Sequence, residues 1–337
     1  MDELVYWLAI QKVYWWFPPQ KIEKAISELG SIEKLWNADE DYLINLGIRR
    51  DFVRKFLDYR KSVSLEGFAK QLNEIRRKNI NIIRYIDFEY PHVLKNVNWP
   101  RKYMAPRILF HKGIPLPSIN MEKCVSVVGR RSCSDRASRV AYEVGKLLAK
   151  HNYVTVSGLA VGVDSRAHKG ALANGGLTIA VLPWLAPIFP PENLKLAEEI
   201  TKHGCLLSEC YMKPKSSNIK WRFIERNKII SGISRCLIVV ESGIKGGTLT
   251  TAIMALEMKK KVFILTPKVS DNNVAKGYNH LTKKGAEPFK SVDELIRKID
   301  ETYQTPKLKS QNLNLTSDLT KFINEKHVNE KGNSKQP

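Results

Sequence analysis

Val154 to His168 read VTVSGLAVGVDSRAH. A β-branched run stops at Ser157-Gly158, and Ala160, Gly162 and Asp164 then lead into a helix-like Arg166-Ala167-His168. A strand that ends on small residues and opens directly into a helix leaves backbone N–H groups pointing outward. With the positive end of the helix dipole behind them, those groups suit a phosphate. The pattern recurs upstream in Val125-Ser126-Val127-Val128-Gly129-Arg130-Arg131-Ser132. It recurs downstream, where Leu237-Ile238-Val239-Val240-Glu241-Ser242 runs into Lys245-Gly246-Gly247-Thr248. Three such strand tips predict an extended anion-binding edge, and hence a polyanion or a nucleotide as ligand.

Outward from these tips, strands and helices alternate. Strands are predicted at 125–128, 153–157, 177–182, 205–208, 236–240 and 261–265. Helices fall between them at 135–150, 164–173, 192–203, 221–234 and 248–258, with apolar positions at helical spacing. This rhythm predicts an α/β domain with an extended Rossmann-like parallel sheet, helices on both faces, and ligands at the carboxyl ends of the strands. A small helical N-terminal domain precedes it. Residues 1–80 read as short helices punctuated by Pro18-Pro19, Gly30 and Gly47, in the manner of a SAM or helix-hairpin-helix module. Such a module either contacts nucleic-acid backbone or serves a structural or dimerising role. A weakly alternating strand is expected near 80–86, followed by a proline-marked connector. The expected organisation is therefore 1–80 helical, 81–302 Rossmann-like, and 303–337 a flexible polar tail.

The 337 residues carry 55 Lys and Arg against 34 Asp and Glu, a net charge of +21. Residues 1–112 hold +6 (20 minus 14), residues 113–300 hold +13 (29 minus 16), and residues 301–337 hold +2 (6 minus 4). The excess sits in the domain with the phosphate-type tips, which points to nucleic acid. Five cysteines form no CxxC pair and have no accompanying His cluster, so neither a metal nor a disulfide framework is expected. The odd count and the absence of a secretory n-region predict a reducing, cytoplasmic setting. The longest apolar stretch, 179–189, holds Pro183 and Pro187 and is too short to span a bilayer.

Four clusters are candidates for the chemistry. Gly129, Arg130, Arg131 and Ser132 offer close backbone approach and two guanidiniums for bidentate pairing. Ser157, Gly158, Gly162 and Asp164 make the second turn. There Asp164 either caps the helix or accepts a hydrogen bond from a sugar or base, and Asp164 with His168 is either acid–base machinery or structural. Phe223, Arg226, Asn227 and Lys228 lie on one helix. Phe223 and Arg226, three apart, share a face suited to stacking on a base and pairing with a phosphate. Lys245, Gly246, Gly247 and Thr248 open another helix. Glu241 and Glu257 near that loop suggest either loop anchoring or glycosidic-bond chemistry. No GxxxxGK[ST] loop is present, which argues against an ATP motor.

Taken in series, these blocks resemble the DprA/Smf family of natural transformation, the DNA-processing protein A family. The resemblance rests on YPHVL at 90–94, VSVVGRRS at 125–132, VSGLAVGVDSRAH at 156–168, FPPEN at 189–193, LLSE at 206–209 and FIERNKIISGIS at 223–234. VVES at 239–242, KGGTLTTA at 245–252, VFILTP at 262–267 and LTKKGA at 281–286 complete it. It implies a single-stranded DNA binder without catalytic activity or cofactor. Such a protein dimerises with itself and hands DNA to a RecA-type recombinase. The family's GSR turn corresponds to Gly129-Arg130-Arg131, with Arg130 in place of serine, and its RNR to Arg226-Asn227-Lys228. The basic residue of its SGLARG loop is Val161 here. Residues 303–337 show no counterpart of the family's frequent winged helix.

Two functions follow. In the first, four to six basic contacts grip single-stranded DNA, giving a salt slope of about −3 to −4. Arg131→Ala and Lys228→Ala are then each expected to weaken binding while the fold is kept. In the second, the chain is a nucleotide-processing enzyme like the lysine-decarboxylase-like phosphoribohydrolases. Their PGGxGTxxE loop is echoed by Gly246-Gly247-Thr248, but it lacks the preceding proline and Glu257 lies too far along.

Overall fold

The computed structural model describes residues 1–13, 17–100, 102–214, 219–268 and 271–304. The chain begins with helices α1 (Glu3–Gln11), α2 (Pro19–Leu29), α3 (Ile32–Asn37), α4 (Glu40–Asn45), α5 (Arg50–Ser62) and α6 (Leu65–Arg77). Local chemistry sets their ends. The side chains of Asp2, Ser31 and Asp39 accept the N–H groups of Leu4, Lys34 and Tyr42. Pro19 opens α2, where a missing N–H costs nothing.

A strand β1 (Asn81–Arg84), a short helix α7 (His92–Lys95) and a strand β2 (Ile108–Gly113) come next. Then the alternation sets in. It runs β3 (Cys124–Gly129), α8 (Asp135–Lys150), β4 (Val154–Ser157), α9 (Val163–Leu172), β5 (Thr178–Val181), α10 (Leu194–Lys202) and β6 (Gly204–Ser208). It continues with α11 (Lys220–Ile233), β7 (Cys236–Glu241), α12 (Gly247–Glu257), β8 (Lys261–Leu265), α13 (Asn272–Lys283), β9 (Glu287–Phe289) and α14 (Val292–Gln304).

The strands form one sheet in the order β1-β2-β6-β5-β4-β3-β7-β8-β9. Every pair from β6 through β9 is parallel. At the other edge β2 runs antiparallel to β6, and β1 antiparallel to β2. The expected Rossmann-like parallel sheet is thus present, extended at one edge by two antiparallel strands. Strand β2, ILFHKG, lies in the stretch read as a connector, because Pro106 and Pro115 bracket it and only short 3₁₀ turns separate it from β3.

Alternate residues of each strand face opposite sides of the sheet. Phe110, Ala180 and Leu206 join one hydrophobic cluster, while Leu109, Ile179, Val181 and Leu207 join another. The first cluster also contains Val5, Trp7, Ile10, Phe17, Trp36 and Phe56 from the N-terminal helices. Each such side chain, fully buried, contributes roughly 1.5–3 kcal/mol. Arg107, 2% exposed, donates to the carbonyls of Ile10, Val13 and Phe17. Residues Met1–Thr302 accordingly pack as one unit, and the expected boundary at residue 80 marks a change of element type within it. Helix α14 runs through Gln304, and beyond it the tail expected at 303–337 lies outside the described residues. No helix among the described residues is long and apolar enough to cross a membrane.

Candidate nucleic-acid interface

The winding of the chain changes direction between β3 and β7. From β3 the strands proceed through β4, β5 and β6 on one side, and β7 returns to the other flank of β3. The helices that follow β3 and β7 therefore diverge, and a crevice opens at the carboxyl ends of these two strands. The register between β3 and β7 shifts at Val128/Gly129, which ends the ladder at that crevice.

A polar groove of about 430 Å³ occupies the crevice. The turn after β3 supplies Gly129, Arg130, Arg131 and Ser132, and the loop before α12 supplies Lys245, Gly246, Gly247 and Thr248. Asp164, Phe223, Arg226 and Asn227 complete the walls. Helix α12 has no side-chain cap at its start among the described residues, which leaves the N–H groups of its first turn open to an anion. Thr248 Oγ1 donates to the Gly129 carbonyl at 2.8 Å and ties the two loops together.

Arg226 is 8% exposed and lies 3.8 Å from Asp164. Its Nε has no hydrogen-bond partner among the described residues. Burial lowers its pKa from the usual guanidinium value, Asp164 opposes that shift, and nearby Arg131 adds to it. Burial in turn pushes the Asp164 carboxyl up, against the pull of Arg226 and of backbone N–H groups of Ala160, Gly158 and Gly129. Asp164 does not cap α9, whose N-cap is Gly162 at φ 83°. It accepts from Gly158 N instead, which makes it the anchor of its own loop.

A second cavity of about 380 Å³ shares Arg131, Ala160, Phe223 and Arg226 with the groove. Its other walls include Gly158, Pro183, Phe189 and Pro190, and it is largely apolar. Trp184, Phe189 and Phe223 pack ring to ring, each pair 5.7–5.8 Å apart between centroids. The Arg131 guanidinium stands 5.8 Å from the centre of the Phe223 ring. A slot for a flat apolar group thus adjoins a cradle for an anion, and Phe223 with Arg226 forms the wall between them.

The family model described as DNA recombination-mediator protein A matches residues 81–300, well over half of the chain. The chain belongs to the DNA recombination-mediator protein A family. Among the proteins it resembles, DNA processing protein DprA of Bacillus subtilis is 31% identical over 277 residues, which covers 80% of this chain and 89% of that one. Protein Smf of Synechocystis is 33% identical over 301 residues, covering 88% and 72%. The X-ray structure of DprA from Streptococcus pneumoniae superposes with a TM-score of 0.70 at 28% identity, over 87% of this chain and 97% of that one. A DprA structure from Helicobacter pylori, reported for its single-stranded DNA binding mode, superposes at 0.55 and 26% identity, over 66% and 97%.

The recombination-mediator family motifs do not all reach the groove, and three sequence-derived site residues are corrected. Ser157 is fully buried and donates to the Val127 carbonyl at 2.6 Å, inside the sheet. Gly162 packs against the carbonyls of Arg130 and Arg131 and supports the turn from behind. Lys228 is 0% exposed and pairs with Glu209 at 2.8 Å. At about 100° per residue, Phe223, Arg226 and Asn227 share one side of α11 while Glu225 and Lys228 share the other. The basic third position of the Arg226-Asn227-Lys228 motif therefore faces the core.

The carboxylates also find their places. Glu241 accepts from the N–H and hydroxyl of Ser134, the N-cap of α8, and so anchors the first turn. Glu257 is 3.8 Å from Lys102 and does not line the groove. His168 is fully buried against Thr178 Oγ1 at 2.7 Å, and burial pushes its pKa down to about 3. It is a neutral core residue there, four positions from an Asp164 that turns to Gly158. No group of three or more His, Cys, Asp or Glu that could hold a metal ion occurs among the described residues.

Proposed function

We propose that this chain binds single-stranded DNA across the tips of β3, β4 and β7, as a homodimer that protects the strand and delivers it to a RecA-type recombinase. It acts as a binder and not as a catalyst. The observation that carries the reading is the shared wall of Phe223 and Arg226, with the anion cradle on one side and the aromatic slot on the other. That spacing suits a phosphate and the base attached to it. A base inside a duplex is stacked on both faces and hydrogen-bonded at its edge, so it enters such a slot only when unpaired. Family membership supports delivery to a recombinase and self-association as part of this reading.

The test is fluorescence anisotropy with oligothymidylate, the matching duplex and thymidine monophosphate, at about 50 and 200 mM salt. Arg131, Arg226 and Lys245 are three groove cations, and at about −0.7 per phosphate they predict a slope near −2 per protomer. The single strand should bind more tightly than the duplex. Arg131→Ala should weaken it by about threefold to tenfold and flatten the slope by about 0.7. Equal affinity for duplex and single strand, or an unchanged Arg131→Ala variant, would refute the reading.

A further inference from the structure

Arg130 stands at the rim of the groove, but two carboxylates already hold it. Its Nη1 donates to Asp271 Oδ2 at 2.9 Å and lies 3.6 Å from Glu241 Oε1. The two carboxylates differ in freedom. Glu241 has a side chain only 6% exposed and is fixed to Ser134. Asp271 is 42% exposed, so water can solvate it when Arg130 leaves. Its Oδ1 serves as the N-cap of α13, accepting from Asn273 and Val274, and only Oδ2 is committed to Arg130. The hydrogen bond from Arg130 holds the Asp271 carboxyl below the usual carboxylate range, so the contact is one between full charges.

A DNA phosphate and the Asp271 carboxylate present the same chemistry to the same donor. We propose that Asp271 is an affinity-setting residue: a built-in counter-ion that occupies Arg130 and must be displaced before Arg130 can take a phosphate. Arg130 then contributes less in the unmodified chain than its place in the groove allows. The inference rests on the single-stranded DNA reading and adds a device that holds the affinity below what the groove could reach.

The experiment is a double-mutant cycle on the full chain, with a fluorescent oligothymidylate as probe. Asp271→Asn keeps an oxygen to cap α13 and puts an NH₂ group, which cannot accept, toward Arg130. It should bind about twofold to fivefold more tightly than the unmodified chain. Asp271→Asn should gain nothing in the Arg130→Ala background. Asp271→Ser, another good N-cap too short to reach Arg130, repeats the test if the Asn variant folds poorly. If Asp271→Asn binds like the unmodified chain, the inference is overturned and the DNA reading stands. An equal gain with and without Arg130 also overturns it, since Asp271 would then act only through the general field. An unmodified chain that ignores oligothymidylate removes the DNA reading and this inference together.

Discussion

Lys228→Ala is expected to destabilise the fold by about 3–5 kcal/mol, seen as a thermal midpoint lowered by about 6–10 °C. Four consecutive polar residues of α11, from Glu225 to Lys228, are buried. On the core side Lys228 meets Glu209, and Glu225 meets Arg222 at 2.7 Å. Burial pushes the Glu209 carboxyl up, while Lys228 pulls it back down and Glu225 pushes it further up. Removing the lysine leaves Glu209 buried beside Glu225 without its closest opposite charge. Lys228→Met with Glu209→Gln should recover more than half of the loss, because neutral groups of similar volume carry no such desolvation penalty. Differential scanning fluorimetry of the three variants decides. A Lys228→Ala chain that melts like the unmodified one but binds DNA poorly would return Lys228 to the groove.

Gly158→Ala should cut single-stranded DNA affinity by about tenfold or more and also lower the thermal midpoint, since Asp164 loses its buried cation. A methyl group at Gly158 falls on the Arg226 guanidinium, the far end of a flexible side chain. The backbone there has no left-handed strain to add. Arg226 must therefore swing out of the wall it shares between the two cavities, and its contact with Asp164 goes too. A charge-assisted hydrogen bond contributes about 1.5–3 kcal/mol, which sets the magnitude. Anisotropy beside a melting curve reads both quantities. Undiminished binding would mean that Arg226 does not need its observed position to hold the strand.

The central strands are legible because Leu237–Val240 is a continuous apolar run and Val125–Val128 is interrupted only by Ser126, each followed by small residues and a helix. That pattern is local, and it gave Gly129, Gly158, Gly246 and Gly247 directly. Strand β2 was not legible, since its pairing with β6 joins residues such as Phe110 and Ser208 that are far apart in sequence. Strand β9 is three residues with Pro288 at its centre, too short to carry a period. Among the groove residues, Phe223 and Arg226 are legible from helical spacing. Lys228 was misplaced because the motif gives residue types but not which side of α11 faces the core. Phe189 carries a signal, an aromatic beside Pro190-Pro191, but its meeting with Phe223 depends on residues 34 positions apart. Asp271 carried none, because its partner Arg130 is 141 positions away.

Ultraviolet crosslinking of the full chain to oligothymidylate, with peptide mapping by mass spectrometry, tests the central claim most directly. A thymine seated in the slot should attach to the peptide carrying Phe223 or to the one carrying Phe189, and Arg131→Ala should reduce both. Attachment confined to peptides of α1–α6, with the Phe223 and Phe189 peptides unmodified, would contradict a strand held at the tips of β3, β4 and β7.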